Sequence, residues 1–387
     1  MAPAAGGDGP LIFIIAGEPS GDALGAKLMR ALKGATGGAV RFARVGGDRM
    51  SAEGLHSLFP LHDIAVMGIT EILPQVPTIF RRLNETVAAI RAQRPAVLVT
   101  IDAPAFVLRV IRKTRSPDLP VVHYVAPQLW AWRPWRVKKL VGRIDRLMLL
   151  LPFEKDFFDR AGVPSIYVGH PVLEEADAPR QSAFRAHHGI AAQAPLLVVL
   201  PGSRHGLVGR MLPVYGAAMR LLHARYPGLR IVVPVVSGTL AQVEAAVRDW
   251  PVAPIIVADP AEKRAALAEA DAALTTSGTA TLELAVAGLP MVVTYKVSAL
   301  SAWFARRLIQ VPNVAMPNLI AGRTIVPELL QEDCTPENIV NELDALLRGD
   351  GARAAQKAAL AEVCAKLGRD GPKPSERAAA VVLSMLR

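Results

Sequence analysis

Cysteine is nearly absent: Cys334 and Cys364 are the whole complement of a 387-residue chain. Two cysteines cannot build a disulfide framework, and no Cys/His cluster has zinc spacing. Nor does any run approach the roughly 18 uninterrupted apolar residues of a membrane span, although hydrophobic residues reach 51% and mean hydropathy is +0.30. The longest apolar runs, LIFIIAG and LMLLLPF, have the length of strands. The amino terminus, MAPAAGGDGP, lacks the basic and apolar regions of a signal peptide, so a cytoplasmic location is expected. No strict Asp-x-Asp metal signature occurs, and EAD at 269–271 runs straight into a strand, so neither a bound metal nor a cofactor is expected. Negative charge is also short: 34 Asp and Glu stand against 44 Lys and Arg, a net charge of +10. That balance favours an anionic partner, whether nucleic acid, acidic lipid headgroups or phosphorylated metabolites.

What is present is a regular alternation. Strand-like runs fall at 11–17, 41–47, 97–102, 121–125, 146–151 and 165–171, with amphipathic stretches between them. A second series falls at 196–203, 230–236, 254–259, 272–277 and 291–296. The runs are apolar without period-2 alternation, which is the pattern of strands buried on both faces of a parallel sheet. The polar, strand-free LEEADAPRQSAF separates the series. The expected fold is therefore α/β, with two Rossmann-like doubly wound domains facing across a cleft. The expected boundaries are 1–172 for the first domain and 173–335 for the second. A helical tail, 336–387, would follow and could pack back on the first domain.

In such sheets ligands sit beyond the carboxyl ends of the strands, and four loops there carry chemistry. GEPSGD (17–22) follows the first strand and opens a helix, so its amides can attract an anion; Gly17 and Gly21 allow a tight turn, and it is not GxGxxG, which argues against a nicotinamide cofactor. The plainer reading is a capped turn with Ser20 or Asp22 as N-cap. TIDAPAF (100–106) ends an apolar strand on Asp102, which is either a general base or a helix cap. LPGSRHG (200–206) offers Gly202 and Ser203 as close-approach amides and Arg204 as a planar cation for phosphate oxygens. TTSGTATLELAVAGLP (275–290) places Thr275, Thr276, Ser277, Gly278 and Thr279 between a strand and a helix, an anion seat by type. Glu283, one turn on, suits the vicinal hydroxyls of a ribose. Together these loops describe a nucleoside diphosphate seat in the second half and a carboxylate in the first, the layout of a sugar-nucleotide glycosyltransferase. The leaving diphosphate would be neutralised by Arg204 and helix amides.

Two basic stretches remain. Residues 65–83, AVMGITEILPQVPTIFRRL, set Ile69, Ile72, Leu73, Val76, Ile79, Phe80 and Leu83 on one helical face, interrupted by Pro74 and Pro77 and ending in Arg81 and Arg82. It reads as a kinked core helix or as a surface that meets lipid. WAWRPWRVKKLVGR (130–143) interleaves tryptophan with cations, a pattern that can bind single-stranded nucleic acid, although the rest of the chain reads as an enzyme. Trp130 and Trp132 are expected to pack a loop, and His170 in VGHP is either a cleft contact or a turn residue.

The segments AGEPSGDALGA, VMGITEIL, IDAPAF, HYVAPQLWAWR, LLPFE, VGHP, LPGSRHGLV, TTSGTATLELAVAGLPMVVTYK and MPNLIAGR, spread from residue 16 to 323, resemble the lipid-A-disaccharide synthase family. Pro19 stands where alanine is a frequent alternative, and the tail beyond Thr335 has no comparable signature. The resemblance implies an inverting glycosyltransferase of GT-B type. Its donor would be UDP-2,3-diacylglucosamine and its acceptor 2,3-diacylglucosamine 1-phosphate (lipid X), giving a β-1,6-linked disaccharide 1-phosphate and UDP. On that reading Asp102 is catalytic, and Gly202, Ser203, Arg204, Thr276, Ser277, Gly278, Thr279 and Glu283 bind UDP. Ser20, Gly21, Asp22 and Asn318 lie toward the acceptor or the cleft. Met67 and the apolar face of 69–80, with Arg81 and Arg82, meet the anionic inner face of a Gram-negative inner membrane. No nucleic acid partner is expected, and a homodimer is left open. The rivals are another two-domain UDP-sugar transferase or epimerase, and a basic binding protein without catalysis.

Overall fold

The computed structural model describes residues 9–55, 57–65, 69–176, 183–298, 302, 311–349 and 351–386. They form two compact units, residues 1–171 with 371–387 and residues 172–370.

The first unit runs β1 (Leu11–Ala16), α1 (Pro19–Ala35), β2 (Arg41–Val45), α2 (Asp48–Ala52), α3 (Ile69–Gln93), β3 (Val97–Ile101), α4 (Pro104–Thr114), β4 (Val121–Tyr124), α5 (Leu129–Trp132), β5 (Arg146–Leu149), α6 (Glu154–Arg160) and β6 (Ser165–Tyr167). Its six strands are parallel in the order β2-β1-β3-β4-β5-β6. One face of the sheet packs through Phe13, Ile15, Leu98 and Val121 against Leu83, Val87 and Ile90 of α3, Val107 and Ile111 of α4, and Phe158 of α6. The other face packs through Ile12, Ile14, Val99 and Val122 against Leu28 and Met29 of α1 and Ala378 and Val382 of the carboxyl-terminal helix Pro374–Leu383. Burial on both faces is why these strands show no alternation.

The second unit runs α7 (Val172–Ala176), α8 (Phe184–His187), β7 (Leu196–Leu200), α9 (His205–Arg225), β8 (Arg230–Pro234), α10 (Leu240–Ala246), β9 (Ile255–Val257), α11 (Pro260–Glu269), β10 (Ala272–Thr276), α12 (Ala280–Ala287), β11 (Met291–Tyr295) and β12 (Glu328–Leu330). Its parallel order is β12-β11-β10-β7-β8-β9. The twelfth strand has no counterpart in the sequence reading: it is three half-buried residues on a sheet edge. Helices Pro336–Leu347 and Gly351–Lys366 pack within this unit, so the expected tail 336–387 is divided, and only its last helix joins the first unit.

Each sheet has one point where the chain reverses its direction of addition. In the first unit β1 leads to β2 on one side and the chain returns to β3 on the other; in the second, β7 leads outward to β9 and the chain returns to β10. A doubly wound sheet opens its binding crevice at that point.

Candidate active site

At the first reversal, Gly17 and Ala103 come together. A Cβ on Gly17 would lie 2.2 Å from Ala103 Cβ, so only glycine lets the β1–α1 and β3–α4 loops approach this closely. Glu18 is the extended N-cap of α1, with Pro19 in its first turn. Asp102 and Ala103 both take left-handed conformations, with φ of 51° and 46°, although neither is glycine. Two successive residues there carry backbone strain of the kind that accumulates at functional sites. The Asp102 Oδ1 accepts from the Ala103 amide at 2.8 Å. Burial raises the Asp102 carboxyl above its usual range, and the Ala103 amide opposes the shift. Glu18 is also raised, first by burial and then by the charge of Asp102. Two carboxyls thus share this edge. Sequence reading singled out only Asp102, although Glu18 sits in the same kind of position after β1.

Of the four residues expected toward the acceptor or the cleft, Gly21, Asp22 and Asn318 are buried and Ser20 is exposed. Asp22 is buried and its carboxylate accepts from the amides of Gly47 (2.8 Å), Arg49 (3.0 Å) and Met50 (3.1 Å), so it caps α2 and is turned to structure, not to an acceptor. It does not cap α1, and neither does Ser20, which is exposed in that helix. Gly21 is buried in α1, where a Cβ would meet ordinary contacts with Ile101 and Ala16. Asn318 is wholly buried: its side chain accepts from the amides of Ile325 (2.7 Å) and Val326 (2.9 Å) and donates to Glu328 (2.6 Å) and the Val326 carbonyl (2.9 Å). Its hydrogen-bonding capacity is spent on its own turn.

At the second reversal, Gly202 has φ +105°, and a Cβ there would lie 2.9 Å from Leu207 Cδ2 and 3.3 Å from Thr276 Oγ1. The β7–α9 and β10–α12 loops are therefore adjacent. Ser203 and Arg204 are exposed. Arg204 and Thr279 are the N-caps of α9 and α12, and neither side chain caps its helix. By contrast Asp259 caps α11 through two amides at 2.8 Å, and Thr335 caps its helix. The two helix starts that meet at the reversal carry no side-chain cap, as is also true of α8 and α10; what sets them apart is that their loops lie side by side at the reversal. Gly278 has φ +151°. Thr276 is buried, and the Ser277 hydroxyl donates to the Val314 carbonyl at 2.8 Å. Glu283 is partly exposed and ion-paired with Lys263 of α11, a partner that sequence reading missed because it lies on another helix. Away from these loops, His187, His188 and Glu262 gather ligand atoms within 4.8 Å of one another, with His188 and Glu262 already bonded at 2.7 Å.

The segment 65–83 differs from expectation. Helix α3 is continuous from Ile69 to Gln93, through Pro74 and Pro77. Met67 lies outside the described residues, as do the side chains of Ile69, Ile72 and Leu73. Val76 is half-buried, Ile79 packs against the core, Leu83 is buried and Phe80 is 53% exposed. Arg82 is not free for a phosphate: it bonds Asp63 and Glu85 at 2.7 Å each and stacks over Phe59. Arg81 is exposed. Trp130 packs its loop as expected, donating to buried Glu154 at 3.1 Å and meeting Phe153 edge-on, whereas Trp132 is 38% exposed. His170 is half-buried, and burial together with Lys27 holds its pKa down at about 4. No helix of the described residues is long and apolar enough to cross a membrane.

A family model described as lipid-A-disaccharide synthetase matches residues 12–382. The chain belongs to the lipid-A-disaccharide synthase family. The lipid-A-disaccharide synthase of Granulibacter bethesdensis is 50% identical over 97% of this chain and 99% of its own length. That of Rhodospirillum centenum is 46% identical over 97% and 94%. Among solved structures, a UDP-GlcNAc 2-epimerase from Neisseria meningitidis bound to UDP-GlcNAc aligns with TM-score 0.61 at 12% identity over 97% of this chain and 99% of that one. The calicheamicin glycosyltransferase CalG4 aligns with TM-score 0.58 at 18% identity over 98% of both chains. At those identities the likeness shows the two-Rossmann fold alone. The family makes the chain a glycosyltransferase of lipid A disaccharide synthesis, in keeping with the nucleotide-type seat.

Proposed function

We propose that the donor is UDP-2,3-diacylglucosamine, the acceptor lipid X, and Asp102 the general base. The observation that carries this reading is a strained, desolvated carboxylate at the reversal of one sheet, with open helix starts and an exposed arginine at the reversal of the other. Asp102 removes the proton of the acceptor 6-hydroxyl as that oxygen attacks the anomeric carbon. The anomeric carbon's bond to the diphosphate oxygen breaks, and UDP leaves with the electron pair, with inversion to the β-linkage. Burial brings the Asp102 pKa closer to working pH, which suits a base. Arg204 and the first amides of α9 and α12 meet the charge that grows on the diphosphate, while Glu283, held by Lys263, accepts from the ribose hydroxyls. Ser203, Ser277, Gly278 and Thr279 line the same seat.

Both substrates are acylated, so the enzyme works peripherally on the anionic inner face of the inner membrane, with exposed Phe80 and the apolar face of α3 at the lipid. The test is chromatography of radiolabelled lipid X with and without the diacylated donor. A disaccharide 1-phosphate forming only with that donor, and unchanged by EDTA, is the expected result. Conversion of soluble UDP-N-acetylglucosamine without any acceptor would instead favour an epimerase.

A further inference from the structure

The cations of residues 130–143 have no place in that chemistry. Arg133, Arg136, Lys138, Lys139 and Arg143 occur with no acidic residue among them. None of the five makes an ion pair among the described residues. The local fold explains their display. After α5 the chain makes a 3-10 helix, Pro134–Lys139, whose threefold period turns Val137 and then Leu140 into the core, followed by Ile144. The outward positions are then Trp135, Arg136, Lys138, Lys139 and Val141, all exposed. Trp135 is 57% exposed, Val141 43% and Trp132 38%. The Arg133 guanidinium lies 3.8 Å from the Trp132 ring centroid, which holds that indole outward against a cation. The inward residues join the same core cluster as Leu83 and Ile79 of α3, so this loop and α3 cover one face of the first sheet. The loop leaves the carboxyl end of β4, next in the sheet to β3, which ends one residue before Asp102.

We infer that residues 132–141 form an anionic-lipid docking surface, separate from α3, that inserts Trp132 and Trp135 at the headgroup level of a negatively charged bilayer while Arg136, Lys138 and Lys139 bind its phosphates. The inference rests on the reading that the substrates are taken from a membrane. Lipid is favoured as the occupant because exposed indoles stand beside exposed Val141 and a row of lysine and arginine. A tryptophan is at its best where one edge is wet and the other apolar. Here α3 supplies apolar area and the loop supplies charge.

The test is co-sedimentation of the full chain with vesicles of phosphatidylcholine alone or with phosphatidylglycerol. A cation near an anionic surface contributes roughly a fivefold change in partition. The variant Arg136→Gln/Lys138→Gln/Lys139→Gln should therefore lose on the order of 100-fold in binding to the anionic vesicles. Its binding to neutral vesicles, its UDP affinity and its turnover on detergent-solubilised substrates should stay unchanged. High salt should reduce wild-type binding to the variant's level. Brominated lipids should quench wild-type tryptophan fluorescence and quench Trp132→Phe/Trp135→Phe far less, a readout that does not need the charge variant to fold. Equal binding of wild type and charge variant to anionic vesicles overturns the proposal, as does equal quenching. Binding to a single-stranded oligonucleotide that exceeds vesicle binding and vanishes in the charge variant overturns it in favour of nucleic acid. If vesicle binding is intact but lipid X is not a substrate, the docking surface stands and the activity reading fails.

Discussion

The two sheets have the same six parallel strands and the same reversal of strand addition, yet their reversal edges carry opposite electrostatics. The first brings Glu18 and Asp102 together, partly desolvated, both raised above their usual range. The second presents Gly202, Ser203, Arg204 and Thr279 around two helix starts without side-chain caps. On the proposed reading the first edge accepts a proton and the second an anion. Topology decided where the loops stand, and a few residues at the strand ends decided what each can do.

The sharpest way to break this contrast is Asp102→Asn. Removing a general base costs about 10²–10⁴-fold in turnover, and UDP affinity should hold, because the nucleotide edge is untouched. Since burial raises the Asp102 pKa, the acid limb of the wild-type kcat/KM profile should fall above the ordinary aspartate range. A variant with near-normal turnover would take proton transfer away from this edge.

The reciprocal experiment is smaller in effect. Arg204→Ala and Glu283→Ala should each weaken UDP binding by calorimetry on the order of 10–100-fold, the range for a lost charged hydrogen bond. For Glu283 the loss also strands the Lys263 ammonium, so Lys263→Met should reproduce part of it. If either variant left UDP affinity alone, the second edge would not be the nucleotide seat.

How far the sequence carries this contrast depends on range. Strands buried on both faces are apolar throughout, so the runs from LIFIIAG to MVVTYK could be read directly, and Asp102, Gly202 and Thr276 could be placed at strand ends, where the structure has them. Strand β12 could not be read, because three half-buried edge residues have neither length nor pattern. Asp22 stands in a loop that reads as functional, but its partners are amides 25 to 28 residues away, which no local pattern reveals. Asn318 misled in the opposite way: a polar side chain in a marked motif turned out to close its own turn. Pro74 and Pro77 were read as breaks, yet α3 runs through both. Each proline removes one backbone donor, and the packing of Leu83, Val87 and Ile90 against the sheet outweighs that loss.

A gentler probe asks whether lipid contact belongs to the first unit alone. Phe80→Ser removes an exposed ring, so the melting temperature should hold. If that ring enters the acyl layer, the loss is roughly 1.5–3 kcal/mol, which appears as weaker vesicle binding and a raised KM for lipid substrates with UDP affinity unchanged. Ile79→Ser, which touches the core, should instead lower the melting temperature. A fall in stability from Phe80→Ser would mean that the ring is structural.

The last prediction touches activity least and tests whether desolvated carboxyls really collect in the first unit. Glu154 is 2% exposed, accepts from the Trp130 indole and the Leu151 amide, and is pushed up by burial to about 7. In the unfolded chain it titrates near 4.5. Below that pH both states hold the proton and the group is neutral in energy. Between 4.5 and about 7 only the folded state holds it, so stability falls as pH rises, and above about 7 the curve is flat. The linked loss is on the order of 3 kcal/mol. Urea unfolding at pH 5 and pH 7.5 should show the decline in wild type and a shallower one in Glu154→Gln, whose amide can still accept the indole bond but never ionises. Because other groups titrate in the same window, the difference between the two proteins is the quantity that decides. Identical slopes would mean that Glu154 is charged in the folded state and that, of the carboxyls raised by burial, only Glu18 and Asp102 remain.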